Sequence, residues 1–430
     1  NYMIKNILSS LSFQRTLLFF FLAIIFFHFL KDTYNYYYYV LQLTVIISFF
    51  YLFFKSSFKQ EIYLYRNFFL LIPFFLSFIY VAFISFFYQE RWGQENYLFL
   101  MSLGRLFIAP VMCILIFGLA QNVNDIKRSL DFYSIIFILA FLSILLQNFT
   151  GHLLIFGQDL HRLNEDYLTR FGISGYSSII GSITSYGVCF SSAAFIIYFN
   201  NNLNFILKVT LITCIFIGAI LSMSKAAFIN IFICLFIMAI FYKWNKNKFI
   251  VPSIIILLII SFFLFETLRT GALGLYVNTT GYELGGLKYN EHYIPITERA
   301  LNRFLYNFDA EFFTSAKDYI LGIGVFGGGG VFFSKNIGTT HNSYLDIYTM
   351  GGVFFISIIV ITFIVCLYQL FKLSFIKKDI LALVLFLSNS VLFFNMFFFN
   401  GALFHPIVSF PFWVSLVYIC KFNSQIKNTE

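Results

Sequence analysis

The sequence predicts an all-α polytopic membrane protein with about twelve transmembrane helices and one large polar loop. Two observations carry this prediction. Hydrophobic residues make up 60% of the 430 residues and charged residues only 11%, whereas soluble domains have about 45–50% apolar and about 25% charged residues. The apolar residues are also gathered into runs of the length that crosses a bilayer core, about 20 residues. A water-soluble fold is therefore excluded, because the polar residues are too few to cover its surface.

Twelve apolar runs divide the chain. The predicted spans are 14–30, 35–54, 67–87, 100–120, 131–149, 177–199, 204–222, 226–242, 249–266, 350–371, 380–399 and 403–420. The first run is not followed by the small-residue cleavage site of a signal peptide, so we expect it to remain as a helix. This pattern gives helices one to nine in 1–266, a large loop with short helices of its own in 267–349, and helices ten to twelve with a tail in 350–430.

The positions of Lys and Arg predict the orientation, because cytoplasmic loops are enriched in these residues. An N-terminus in the cytoplasm places most cations inside: Lys5, Arg15, Lys55, Lys59, Arg66, Lys127, Arg128, Lys208, Lys243, Lys246, Lys248, Lys372, Lys377, Lys378, Lys421 and Lys427. The short linkers on the other face hold mainly Lys31, Arg91 and Lys225. Both termini are therefore predicted to be cytoplasmic and the large loop to lie outside. The same bias accounts for the net charge of +9 without a nucleic-acid partner.

The six cysteines predict neither a disulfide framework nor a zinc site. All of them fall inside apolar runs, and the sequence contains no CxxC pair. Metal and disulfide frameworks need cysteines at characteristic spacings in polar segments.

The strongest local feature lies at the end of the large loop. The segment 321–330 reads Leu-Gly-Ile-Gly-Val-Phe followed by four glycines, and His341-Asn342-Ser343-Tyr344-Leu345 then leads into the tenth helix. One interpretation is a flexible glycine loop with His341 as an interfacial residue. The alternative is functional, because an imidazole at the mouth of a membrane helix can act as a general base near neutral pH. Asn342 and Ser343 would then cap the helix or contact a hydroxylated substrate.

Cations on the predicted outer face are candidates for phosphate contacts. Lys225 follows Ser-Met-Ser between the seventh and eighth helices, and Arg170, Arg299 and Arg303 lie in the outer loops. Guanidinium groups bind phosphate oxygens in pairs, and an ammonium group acts as a point charge. The alternative interpretation is that each of these residues is an ordinary solvated charge. For Lys225, the alternative is a side chain that extends to the lipid headgroups. Several cations converging from separate outer loops would suit a diphosphate.

Together these features resemble the superfamily of O-antigen polymerases and O-antigen ligases. The likeness covers most of the chain in topology, and in motifs it depends mainly on 299–352, with its Gly-Ile-Gly turn and His-Asn-Ser-Tyr-Leu segment. The Ser-Met-Ser-Lys segment at 222–225 is similar to a superfamily segment that usually ends in Arg. Lys225 keeps the charge there but not the paired hydrogen bonds of a guanidinium group. Arg170 with Gly172 is similar to the superfamily's Arg-x-Gly before the sixth helix, and Arg299 and Arg303 remain alternatives for its loop arginine.

The resemblance implies a metal-independent glycosyltransferase in the bacterial inner membrane, with the large loop in the periplasm. The donor is an oligosaccharide on undecaprenyl diphosphate, and membrane lipids and a chain-length regulator protein are further partners. A polymerase transfers the glycan to another lipid-linked repeat unit, and a ligase transfers it to lipid A–core. A polymerase is favoured because the chain is rich in Phe and Tyr, as such polymerases often are. A transporter of the same lipids is the alternative of another class, but the paired halves with midplane charges that transporters often show are not evident.

The resemblance also assigns roles to the candidate residues. It implies His341 as the catalytic base that takes a proton from the acceptor hydroxyl. The implied contacts to the diphosphate or the glycan are Arg170, Lys225, Arg299, Arg303, Asn342 and Tyr344. It assigns no residue to a metal and implies no cofactor.

Overall fold

The computed structural model describes most of the apolar helices and one part of the large loop. The described residues are 11–26, 37–54, 71–88, 96–150, 154–155, 158–159, 178–180, 183–222, 224–244, 248–264, 315–325, 342–397, 399 and 402–422. Within these ranges a few side chains, including those of Arg105 and Lys225, also lie outside the description.

Twelve apolar helices and one short polar helix follow one another in the described residues. The helices are α1 (Leu11–Phe26), α2 (Tyr37–Phe54), α3 (Leu71–Tyr88), α4 (Asn96–Leu119), α5 (Val123–Thr150), α6 (Ile183–Phe199), α7 (Phe205–Leu221), α8 (Lys225–Ile240), α9 (Ile250–Leu264), the short α10 (Ala316–Leu321), α11 (Ser343–Phe375), α12 (Ile380–Asn395) and α13 (Pro406–Val417). A 3₁₀ turn follows α8 (Phe241–Trp244), another precedes α13 (Ala402–Phe404), and a π-helical turn extends α13 (Tyr418–Phe422). Two short antiparallel strands, β1 (Leu154–Ile155) and β2 (Gln158–Asp159), depart from the all-α expectation.

Each predicted apolar span overlaps one of these apolar helices. The predicted and observed helix starts differ most at α5, which begins at Val123 and not at 131, and at α11, which begins at Ser343 and not at 350. Three helices, α3, α5 and α11, are both long and apolar enough to cross a membrane, and nine other apolar helical stretches of the described residues are shorter. By the length and composition of its helices, the chain is a helical membrane protein. The number of crossings stays a prediction.

The chain divides into two compact units. The first comprises 1–23, 40–127 and 300–430, and the second comprises 24–39 and 128–299. In the first unit α3 packs on α11, α11 on α12, α12 on α13, and α13 on α4. The core between them is aromatic. The ring of Phe74 lies 5.4 Å from that of Trp413, and the ring of Phe78 lies 5.4 Å from that of Phe355. Such pairs add about 0.5–1.5 kcal/mol each beyond the area they bury.

One end of the first unit gathers cations that the sequence assigns to the cytoplasm. Arg15 donates to the buried carboxylate of Asp125 at 2.8 Å. The ammonium group of Lys421, which is only 2% exposed, donates to the carbonyl oxygens of Phe117 and Ala120, each at 2.7 Å. These carbonyls end α4, where a helix has oxygens without helical donors and a negative dipole end. Lys421 is therefore a buried cap of α4 and not a solvated tail residue.

The second unit packs α6 against α8 through small residues. A Cβ atom on Gly187 of α6 would lie 2.5 Å from the hydroxyl oxygen of Ser224 and 3.1 Å from the backbone nitrogen of Ala227. Asn230 donates to the carbonyl oxygen of Gly187 at 2.9 Å. Lys208 is also buried in this unit and donates to a carbonyl in the last turn of α6 at 2.9 Å. Close backbone approach at small residues is how membrane helices gain packing contacts.

Replacing Lys421 by Met tests its capping role. The change keeps the length of the side chain but removes two charge-assisted hydrogen bonds, and a bond to a charged group contributes about 1.5–3 kcal/mol. We expect the free energy of unfolding to fall by about 2–3 kcal/mol. Thermal unfolding of the purified protein in detergent would show this as a lower midpoint. Lys372→Met is the control, because Lys372 is exposed on the last turn of α11 and its loss is expected to change the free energy by less than about 0.5 kcal/mol. Equal midpoints for the two variants would contradict the capping role.

Candidate functional site

The centre of the candidate site is a break in α11, against which the Gly-Ile-Gly turn packs. The helix is interrupted at Gly351 and Gly352, where the backbone leaves the helical conformation. The amide of Ile323 donates to the carbonyl oxygen of Thr349 at 2.8 Å, and the amide of Gly324 donates to that of Met350 at 2.9 Å. The turn after α10 thus pairs, through its backbone, with the last carbonyls before the break.

Glycine is required on both sides of this contact. Gly322, Gly324 and Gly352 have positive φ angles of 80°, 81° and 62°, a region that side chains with a Cβ atom rarely adopt. A Cβ atom on Gly322 would lie 2.5 Å from the backbone nitrogens of Gly351 and Gly352, and one on Gly352 would overlap the carbonyl oxygen of Ile320. The interpretation of a flexible loop is therefore wrong for 322–324. The rest of the glycine-rich segment, 326–341, lies outside the described residues.

Three polar side chains of α3 hold the turn and α10 in place. Tyr80 donates to the carbonyl oxygen of Leu321 at 2.9 Å, Tyr88 donates to the carboxylate of Asp318 at 2.5 Å, and the hydroxyl of Ser85 accepts from the amide of Val325 at 2.9 Å. Asp318 also forms a capping box with Ser315 at the start of α10. The carboxylate of Asp318 is buried, and its hydrogen bonds with Tyr88 and Ser315 compensate for that burial.

The start of α11 is fixed by Asn342 and Tyr344. The side-chain oxygen of Asn342 accepts from the amides of Tyr344 and Leu345 at 3.0 and 3.2 Å, the usual arrangement of an N-cap. The hydroxyl of Tyr344 donates to the carbonyl oxygen of Phe393 at 2.7 Å. Of the two alternatives for Asn342, the structure shows the cap. A contact of Asn342 or Tyr344 with substrate stays a prediction.

Ser343 joins the start of α11 to the connection between α12 and α13. Its amide donates to the carbonyl oxygen of Met396 at 2.8 Å. Its hydroxyl donates to the carbonyl oxygen of Phe399 and accepts from the amide of Ala402 at 2.9 Å. Ser343, the residue after the N-cap, is therefore held in place by three hydrogen bonds, two that it donates and one that it accepts.

The backbone amides at the N-terminus of α11 already have hydrogen-bond acceptors within the protein. The amide of Ser343 has its acceptor in the connection before α13, those of Tyr344 and Leu345 are capped, and that of Asp346 donates to the carbonyl oxygen of Asn342 at 3.1 Å. Helix N-termini bind phosphate through free amides. A diphosphate at this site would therefore be held by side chains, as the cation hypothesis requires, and not by this helix end.

Asp346 is a candidate residue that the hydropathy pattern does not predict. Its exposed fraction is 0%, and it lies in the first turns of α11. Because the predicted span began at 350, Asp346 was assigned to the polar loop, where a carboxylate is ordinary. Inside an apolar helix, an ionisable residue is a functional candidate by default. The sequence signal that marks it is the N-cap residue Asn342, which predicts a helix start before Asp346.

The other predicted site residues are distributed over both units. Those outside the described residues are Arg170, Arg299, Arg303 and His341. Lys225 is the first residue of α8 in the second unit, and its side chain is also outside the description. Ser222 and Ser224, on either side of Met223, are buried there. Asn342 and Tyr344 lie at the start of the same helix whose break the glycine turn contacts, and the convergence of the cations stays a prediction.

Metal-binding residues do not cluster in the described part of the chain. It contains no group of three or more His, Cys, Asp or Glu side chains that could hold a metal ion. All six cysteines are described, and none forms a disulfide.

The interpretation of this chain depends on its own residues and motifs. No protein-family model, curated protein or solved structure matches it. The relation to the O-antigen superfamily is therefore a resemblance, carried by the motifs at 222–225 and 299–352.

Replacing Gly352 by Ala tests the close contact at the break. The new Cβ atom would overlap Ile320, and φ at this position is 62°, so we expect a loss of at least about 2 kcal/mol in the free energy of unfolding. Gly104→Ala is the matched control on α4, because a Cβ atom there meets nothing within 4 Å. Alanine at 104 is expected to be neutral or to stabilise by up to about 1 kcal/mol. Thermal unfolding in detergent separates these outcomes, and an unchanged midpoint for Gly352→Ala would argue against the contact.

Proposed function

We propose that this chain is a membrane glycosyltransferase that polymerises a bacterial surface polysaccharide from oligosaccharides carried on undecaprenyl diphosphate. The observation that supports it most is the backbone pairing of Ile323 and Gly324 with Thr349 and Met350. The Gly-Ile-Gly turn and the His-Asn-Ser-Tyr-Leu segment are separate motifs in the sequence, and each is only moderately specific. Pairing of the turn with the helix that the second motif begins makes them parts of one structure.

The proposed reaction is a displacement at the anomeric carbon of the donor sugar. An acceptor hydroxyl attacks this carbon, the bond from carbon to the diphosphate oxygen breaks, and the electron pair leaves with undecaprenyl diphosphate. The imidazole of His341 takes the proton of the hydroxyl and later releases it to solvent. The transition state resembles an oxocarbenium ion with an anionic leaving group. Cations beside that group stabilise the charge as it develops.

Three cations, drawn from four candidates, are proposed for the leaving group. Arg170, Lys225 and one of Arg299 and Arg303 would contact the diphosphate from separate outer segments. Guanidinium groups supply paired hydrogen bonds, and the ammonium group of Lys225 supplies charge alone. If these cations stabilise the negative charge of the leaving diphosphate, the reaction needs no metal ion. In many phosphoryl-transfer enzymes a metal ion stabilises that charge.

The helices would place this chemistry at the outer face of the bacterial inner membrane. The undecaprenyl chain is an apolar lipid, and exposed apolar side chains along α3, such as Leu76, Ile79 and Phe83, offer it a surface. The diphosphate and the sugar would then lie at the level of the large loop. In this proposal both termini are cytoplasmic, and the loop is periplasmic.

Replacing His341 by Ala tests the proposed reaction directly. The assay uses purified protein in detergent with undecaprenyl-diphosphate-linked repeat units, and products are resolved by mass spectrometry. Wild-type protein is expected to form lipid-linked glycans of two or more repeat units. Loss of the general base is expected to slow their formation by about 10²–10⁴-fold. His292→Ala, a change to another histidine of the large loop, serves as the control and is expected to keep the wild-type rate.

Two other outcomes would overturn the proposal. A transporter would give no product in detergent even as wild type, because detergent leaves no second compartment. A ligase would give product only when lipid A–core is supplied. If a strain that lacks this protein still makes long lipid-linked glycan but does not attach it to the core, the protein is a ligase and the polymerase proposal fails.

Reporter fusions test the proposed orientation. Green fluorescent protein after Glu430 is expected to fluoresce, because it folds in the cytoplasm. Alkaline phosphatase inserted near Lys288 is expected to be active, because its disulfides form only in an oxidising compartment such as the periplasm. The reverse pattern would place the large loop on the cytoplasmic side and exclude a periplasmic reaction.

A further inference from the structure

The connection between α11 and α12 carries three lysines beside an exposed isoleucine. Lys372 lies on the last turn of α11, and Lys377 and Lys378 lie in the short turn that follows it. Lys372 and Lys378 are exposed, and Lys377 is half-buried. Ile376 stands at the end of α11 between these lysines and is 68% exposed. Positive charge and apolar surface therefore occur together at this end of the first unit.

The backbone of Lys378 has a conformation that lysine rarely adopts. Its φ angle is 54°, and among the described residues other than glycine it alone has a positive φ angle. Contact of the Cβ atom with the backbone makes this region unfavourable for most side chains. The residue lies in a closed turn, in which the amide of Asp379 donates to the carbonyl oxygen of Leu373 at 3.2 Å. Glycine would adopt this conformation without the steric penalty, so the backbone does not explain a lysine here.

The carboxylate of this turn is engaged within the protein. Asp379 caps α12, because one of its oxygens accepts from the amides of Leu381 and Ala382 at 2.9 and 3.2 Å. Its other oxygen accepts from the hydroxyl of Tyr418, which places the turn beside the end of α13. The three lysines and this aspartate together leave a net charge of +2. The exposed part of that charge is on Lys372 and Lys378.

The other charged residues at this end of the first unit add to its positive surface. Lys421, just after α13, is buried as the cap of α4. Asp125, near the start of α5, is buried and accepts from Arg15 at 2.8 Å. Lys127, two residues further, is exposed. In the described part of this end, the acidic side chains are thus held by protein groups, whereas the exposed charges are positive and suit an anionic partner.

Exposed apolar side chains indicate which kind of anion fits this surface. Besides Ile376, Phe371 is 46% exposed and Tyr368 is 61% exposed on the last turns of α11. A soluble anion would leave these side chains in water. A phospholipid offers acyl chains to the apolar groups and a phosphate to the ammonium groups, and lysines at the ends of membrane helices extend to headgroups in this way. Anionic lipids attract clusters of lysines next to membrane helices.

We propose that Lys372, Lys377 and Lys378 form a binding surface for the headgroups of anionic phospholipids. The lipid phosphate lies against the ammonium groups, and the acyl chains lie along Phe371 and Ile376. The charge of Lys378 is then the reason for a lysine at a position whose backbone favours glycine. This surface holds one end of the first unit at the membrane boundary, and it does not depend on the proposed transferase function.

Lipid binding to the purified full-length protein tests the proposal. The protein in neutral detergent is titrated with phosphatidylglycerol or with phosphatidylcholine, and native mass spectrometry measures the bound lipid. We expect the affinity for phosphatidylglycerol to be at least about 10-fold higher, because each lysine near the headgroup strengthens binding by about 5-fold. Equal affinities for the two lipids would overturn the proposal. So would displacement of phosphatidylglycerol by an equal concentration of inorganic phosphate, which would indicate a site for free phosphate.

Lys378→Gly separates the charge of this residue from its backbone. The affinity for phosphatidylglycerol is expected to fall by about 5-fold. The thermal midpoint without lipid is expected to stay the same or rise, because glycine adopts a φ angle of 54° without strain. An unchanged affinity would contradict the proposal. A lower midpoint would show that the lysine stabilises the turn itself, and it would overturn the proposal as well.

Three further variants show whether the position of the charge matters. Lys378→Arg keeps the charge and is expected to keep the affinity within about 2-fold. Lys317→Gln removes an exposed lysine from α10, which is separated from the turn by the length of α11 after its break, and it is also expected to keep the affinity within about 2-fold. Replacement of Lys372, Lys377 and Lys378 together by Gln is expected to lower the affinity by about 100-fold. Equal losses for Lys317→Gln and Lys378→Gly would mean that affinity follows net charge alone and would overturn the surface.

Discussion

Two backbone hydrogen bonds, from Ile323 and Gly324 to Thr349 and Met350, hold the candidate site together. A helix break in apolar surroundings leaves carbonyls that have no water to accept from, so other protein groups must supply the donors. Ile323 and Met350 are 1% and 2% exposed, so the requirement applies here. The donors reach the carbonyls only when the two backbones nearly touch. This single constraint explains glycine at 322 and 352.

The same constraint extends to the helices around the break. Once the turn is fixed on α11, side chains of α3 can bond to the residues on either side of it: Tyr88 donates to Asp318 of α10 before the turn, and Ser85 accepts from the amide of Val325 after it. On the other side, Ser343 binds the connection between α12 and α13. The segment from Ser343 to Met350, which begins two residues after His341, is therefore held from both sides. Such rigidity is what a site needs when it must hold reacting groups in a fixed geometry.

The sequence alone predicts the positions of the apolar helices because each of them is a continuous apolar run. It predicts less where polar groups are buried. Hydropathy placed the start of α11 at 350, since Asp346 and the N-cap are polar, and the cap that allows an earlier start is a local hydrogen bond. The charge pattern predicts Lys208 and Lys421 as cytoplasmic cations, and both are buried on carbonyls of neighbouring helices. Contacts between residues far apart in sequence, such as Gly322 with Gly352, leave no periodic signal.

The buried charges around the break bear on whether the proposed leaving group can bind there. Among the described residues that surround it, the buried ionisable side chains Asp318 and Asp346 are both acidic. A diphosphate beside them would be repelled, because like charges in apolar surroundings interact strongly. The buried charge around the break therefore argues against a diphosphate at this point of the first unit.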